Sequence, residues 1–127
     1  MLYVAESRKT VEDAARDLEA AVKAHKFGVL HVHDLKATMK AKGVDFPHEC
    51  KILEVCNPQQ AAKVLTADMS MNVALPCRIS VYEEGGITKI GMARPTALLG
   101  MLSSDPTLET VAREVEAATV AMIEEAK

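Results

Sequence analysis

Two rhythms of apolar and polar positions run along the chain, and the points where one gives way to the other mark its elements. In "TVEDAARDLEAAV", Val11, Ala14, Ala15, Leu18, Ala21 and Val22 recur at helical spacing, so one face of a helix is apolar. Thr10 and Asp13 stand at capping-box spacing, with Asp in place of the usual Glu, and Glu12 and Asp13 suit the positive helix start. The pattern predicts a helix from Thr10 to about His25–Phe27, stopped by Gly28. The last apolar stripe, Leu108, Val111, Ala112, Val115, Ala118, Met122 and Ile123, predicts a long terminal helix opened by Asp105-Pro106.

Between these helices the period shortens to two. "LYVAES" predicts a first strand over residues 2–7 and "GVLHVHD" a second over 28–34. Simple alternation puts Leu30 and Val32 on one face of that second strand, and Val29, His31 and His33 on the other. Asp34 is the predicted N-cap of a short basic helix that ends at Gly43. "CKILEVC" is the next strand, with Leu53 and Val55 facing one way and Cys50, Ile52, Glu54 and Cys56 the other. Asn57, Pro58 and Gln60 then open a helix that runs to about Ala67. "DMSMNVALP" is expected to be a loop. "CRISVYE" and "ITKIGMA" form a hairpin across Glu84-Gly85-Gly86, and "TALLGML" a short helical turn.

This order predicts an α+β fold, a single domain over residues 1–127, with helices on one face of a mainly antiparallel sheet. The other sheet face is left open to water, a ligand or a second subunit.

Composition narrows the classes. Of 127 residues, 49% are hydrophobic and 26% charged, so the chain can build one ordinary core. There is no Trp, and the aromatic residues are Tyr3, Phe27, Phe46 and Tyr82, so that core is aliphatic. A net charge of −3 argues against broad binding of nucleic acid or anionic membranes. No apolar run reaches membrane-span length and no secretory signal opens the chain, so a cytoplasmic protein with reduced thiols is expected.

The residues that can carry chemistry are few. Cys56 precedes a helix N-cap, where unpaired N–H groups and the helix dipole lower a thiol's pKa. The plainer reading is a small buried side chain at a strand end, since free cysteine is among the most buried residue types. Cys50 and Cys56 lie roughly 20 Å apart on one strand and cannot bridge, whereas Cys56 and Cys77 end and begin strands, so a pair is geometrically open. His31 and His33 share a strand face, so one metal, zinc or copper, could meet both, with Cys56 or Glu54 from a neighbouring strand; two solvated histidines are the plainer reading. Arg78, on the face opposite Cys77, suits a carboxylate or phosphate group, or merely solvent. Gly85-Gly86 lies in a hairpin turn, not a phosphate loop, and no serine sits in a nucleophile elbow.

The segments "GVLHVHDLKATMKAKG", "ILEVCNPQQAAKVL" and "LPCRISVYEEGGITKIGMARPTALL" together resemble the family called domain of unknown function 302. The Cys-Asn-Pro and Leu-Pro-Cys-Arg blocks are the most specific parts. The resemblance implies a TATA-binding-protein-like outline and a homodimer, without implying DNA binding. It draws attention to His33, Asp34, Cys56, Asn57, Pro58, Pro76, Cys77 and Arg78, of which His33, Cys56, Cys77 and Arg78 are least explained by structure.

The expected function is therefore a non-catalytic, homodimeric binding module. It would hold a small anionic ligand or partner on the open sheet face through His31, His33 and Arg78, and contact neither nucleic acid nor membrane. The alternative is a thiol-redox or metal-binding protein in which Cys56 and Cys77 are the thiols and His33, Cys56 and Cys77 the metal ligands. No cofactor is required by the sequence.

Overall fold

Side-chain caps open most of the helices where the sequence places them. In the computed structural model, which describes residues 1–127, Thr10 Oγ1 accepts the Asp13 N–H at 3.1 Å and starts α1 (Val11–Ala24). Asp34 Oδ1 accepts from Ala37 N–H at 3.0 Å and starts α2 (Leu35–Ala41). Asn57 Oδ1 accepts from the N–H groups of both Gln59 and Gln60, at 3.0 and 3.2 Å, and starts α3 (Pro58–Ala67). Pro95 opens α4 (Pro95–Leu102), a fuller helix than the single turn expected. Asp105 Oδ1 accepts from Thr107 N–H at 2.8 Å and starts α5 (Pro106–Ala126).

The end of α1 differs from the sequence reading. The helix stops at Ala24, and the left-handed residue that closes it is Lys26, with φ of 63°, not Gly28. Phe27 N–H reaches back to Val22 C=O at 3.1 Å, which satisfies a carbonyl that the helix end would otherwise leave open. Gly28 is free to begin a strand.

Five strands, β1 (Leu2–Ser7), β2 (Gly28–Asp34), β3 (Cys50–Cys56), β4 (Cys77–Glu84) and β5 (Ile87–Ala93), form one antiparallel sheet in the order β1-β5-β4-β3-β2. The β4–β5 hairpin turns through Gly85 and Gly86 with φ of 61° and 77°, the left-handed pair that suits the strand twist. The buried strand residues Ala5, Leu53, Val55, Ile79, Val81, Ile90 and Met92 share one face. α1 and α5 pack against each other and against that face, closing an aliphatic core around Leu18, Leu53, Ile79, Ile90, Leu108, Met122 and Ile123. No helix is long and apolar enough to cross a membrane.

Two further expectations are corrected. The segment after Asp68 is not a loop but a 3-10 helix, Met69–Ala74, capped by Asp68 Oδ1, which accepts from Ser70 N–H at 3.0 Å. It buries Met71 in the core and leaves Val73 outside. In β2 the alternation breaks at Leu30. Val29 pairs with Val55 but His31 pairs with Glu54, so Leu30 is the extra residue of a β-bulge. Val29 therefore joins Val32 on the core side, while Leu30 is 60% exposed. One inserted residue has reversed the face of everything on its N-terminal side.

Candidate functional site

The core is not filled to its end. Beyond β3 and β4, between the sheet and α3, α4, α5 and the 3-10 helix, lies a cavity of about 620 Å³. Its volume falls in the range of small-molecule sites. Of the 24 lining residues 17 are hydrophobic, so the walls are chiefly hydrocarbon. Phe27, Val64, Leu99, Val111 and Val115 contribute the deep wall, and Cys56, Cys77, Asn57 and Gln60 line it near the start of α3. Val73 and Leu102, 76% and 46% exposed, carry the lining out to the surface between the 3-10 helix and α4.

Both cysteines border the cavity, at the end of β3 and the start of β4. Cys77 pairs with Val55, the residue before Cys56, and all three cysteines are free. Their chemistry differs from that expected of a helix start. Burial pushes the Cys56 thiol up, not down. Burial also pushes Cys77 up to about 11, with the neighbouring Cys56 adding to the effect. The helix field at Cys56 is spent locally: Pro58 has no N–H, and Asn57 takes the N–H groups of Gln59 and Gln60. Both thiols are protonated at neutral pH.

His31, His33 and Arg78 meet on the opposite face, and a fourth residue organises them. Glu54 lies across from His31 on β2 and from Arg78 on β4. His33 Nε2 and Glu54 Oε1 are joined by a hydrogen bond, and the imidazoles of His31 and His33 stand edge to face with centroids 4.4 Å apart. The bond from His33 holds the Glu54 carboxyl below the usual carboxylate range, against the opposing effect of burial, with the charges of His33, Arg78 and His31 assisting. These three side chains thus already surround an anion, supplied by the protein itself. The alternation of β3 placed Glu54 on the histidine face; what it could not show was the register that centres it.

The suggested metal set of His33, Cys56 and Cys77 does not assemble. His33 pairs with Ile52, four strand positions before Cys56 and so roughly 13 Å along the sheet. No cluster of three or more His, Cys, Asp or Glu side chains is placed to hold an ion.

Fold and site together define a small α+β protein with one antiparallel sheet and an apolar cavity under its helical layer. The chain matches the family model "Domain of unknown function DUF302" over residues 3–126, and it belongs to that family. A solved structure described as an uncharacterized conserved protein DUF302 from Bacillus stearothermophilus is 37% identical, with a TM-score of 0.93 over 99% of this chain and 98% of that one. No curated protein matches the chain.

Proposed function

We propose that the protein is a non-catalytic binding module that holds a small molecule in the cavity between the sheet and α3–α5. The observation that carries this reading is the cavity itself, about 620 Å³ in a chain of 127 residues. The space opens to solvent past Val73 and Leu102, so its largely hydrocarbon walls stand against water, an unfavourable exposure that a bound apolar molecule would remove. The reading moves the ligand from the open sheet face to the helical side. On the open face, Glu54 already stands among His31, His33 and Arg78.

The alternative of a thiol-redox or metal protein draws less support, because Cys56 and Cys77 sit in hydrocarbon surroundings that favour the neutral thiol. The open sheet face is assigned to a second copy of the chain. There the side chains of Leu2 and Val4, 67% and 43% exposed, stand beside the charged rows, and a homodimer would cover them.

The test is a thermal-shift screen of chemically varied small molecules, counted only where the compound also slows alkylation of Cys56 or Cys77. Binders should do both, and Ala74→Trp, which places a large side chain at the cavity wall, should abolish both effects. Finding no compound that protects a wall thiol, or finding the Trp variant still fully responsive, removes the reading. Sedimentation of the purified chain tests the second claim: a homodimer should dissociate on Val4→Glu, and a wild-type monomer overturns it.

A further inference from the structure

The lining of the cavity also restricts what it can hold. Arg78 is the one charged residue among the lining residues. Strand alternation points its side chain away from Cys77 and Ile79, to the face where its charge acts on Glu54. By that alternation the guanidinium belongs to the far side of the sheet and not to the space under the helices.

Most of the neutral polar groups are committed as well, and the one buried side-chain atom without a partner, Gln60 Oε1, is an acceptor that suits a neutral donor and not an anion. Asn57 Oδ1 is bound to two N–H groups of α3. Gln60 Nε2 donates to Glu114 Oε2 at 2.9 Å, and Thr119 Oγ1 donates to Val115 and Glu116 C=O at 3.0 and 3.1 Å. At the start of α4, Thr96 N–H and Oγ1 both donate to Glu116 Oε1, at 3.1 and 2.7 Å. An anion entering here meets no free cation in the lining, and the Gln60 amide N–H that borders the space already donates to the Glu114 carboxylate. Losing its hydration in such a place is heavily unfavourable. The raised thiols of Cys56 and Cys77 report the same surroundings, since a site suited to anions would favour thiolate.

The outer end of the cavity is apolar too. Val73 and Leu102 line it from outside, flanked by Met69 and Met101, 67% and 73% exposed, on the same two elements. These side chains sit between the 3-10 helix and α4, which pack against each other.

Resting on the cavity reading above, we infer that the ligand is a neutral aliphatic molecule, and that it enters between Val73 and Leu102. A hydrocarbon body fits the walls, and a hydroxyl it carries either stays near the mouth, where water can satisfy it, or donates to Gln60 Oε1, an acceptor that a carboxylate cannot satisfy.

The test is calorimetric titration of the full chain with 1-decanol and with decanoate at neutral pH, where the acid is ionised. Each titration is paired with alkylation of Cys56. The alcohol should bind more tightly by roughly tenfold or more, which is about 1.4 kcal/mol. It should also protect the thiol, and Val73→Asp should weaken it several-fold. Equal or tighter binding of decanoate, with thiol protection, overturns the neutral class and leaves the cavity as the site. If neither compound binds or protects, both the class and the cavity reading fall. Unchanged binding to Val73→Asp overturns the entrance.

Discussion

His33 and Glu54 are joined across the β2–β3 ladder, with Glu54 at the centre of a row that also holds His31 and Arg78. The carboxyl is held low first by the His33 hydrogen bond. A depressed folded value means that ionised Glu54 favours the native state fully above the ordinary carboxylate value of about 4.3. That contribution disappears as pH falls through the lower folded value. Glu54→Gln should therefore be less stable than wild type at neutral pH, and the gap should close on acidification below about pH 4. Urea midpoints of both proteins across the acid range check this. A gap that stays constant to the acid end removes Glu54 ionisation as its source.

Leu30 and Val32 look equivalent under strict alternation, yet the bulge sends Leu30 outward and leaves Val32 packed on the core. Leu30→Ser should cost no more than about 0.5 kcal/mol, as for ordinary surface positions. Val32→Ala should cost roughly 1 kcal/mol or more, because it removes methyl groups from a packed site. Denaturant melts of the two variants decide between the registers. Equal losses would restore the unbulged strand.

That bulge shows where the sequence stops being legible. The caps at Thr10, Asp34, Asn57 and Asp105 and the stripes of α1 and α5 depend on neighbours within a turn or two, and they were readable. The extra residue in β2 is defined only against β3, so alternation within β2 carries no sign of it. The 3-10 helix was missed because Met69–Ala74 is too short to show a period. Cys56 was placed correctly at its strand end, but its acidity depends on the balance between helix field and burial. Burial is set by what packs beside the strand end, which only the folded chain decides. The cavity escaped for the same reason: its wall is assembled from most of the chain's length.

The thiols should behave as inert groups in neutral solution. The folded value of Cys77 is raised, so the neutral thiol favours the native state below the ordinary value of about 8.5. That contribution is lost as pH rises through about 11. Mass spectrometry of alkylation against pH should show Cys77 still gaining reactivity toward pH 11. Cys56 should react only above the ordinary thiol range. A Cys56 midpoint below that range would revive the reactive-thiol reading and count against a hydrocarbon wall.

Gly91 pairs with Val4 at the β1–β5 ladder, on the open face of the sheet. Its φ lies outside the left-handed region, so the reason for glycine is space. A Cβ added there would stand 3.1 Å from Val4 Cγ2, 3.4 Å from Tyr3 C=O and 3.7 Å from Tyr82 Cε1. The Tyr3 carbonyl belongs to the ladder backbone and cannot easily retreat, so the Val4 side chain must yield. Gly91→Ala should therefore cost about 1 kcal/mol, the lower end of overpacking losses. In a Val4→Ala background the tightest contact is absent, and the same change should be near neutral, helped by the smaller entropy of the unfolded chain. A double-mutant cycle measures the coupling directly, and a coupling of zero would mean that Val4 is not what excludes a side chain at Gly91.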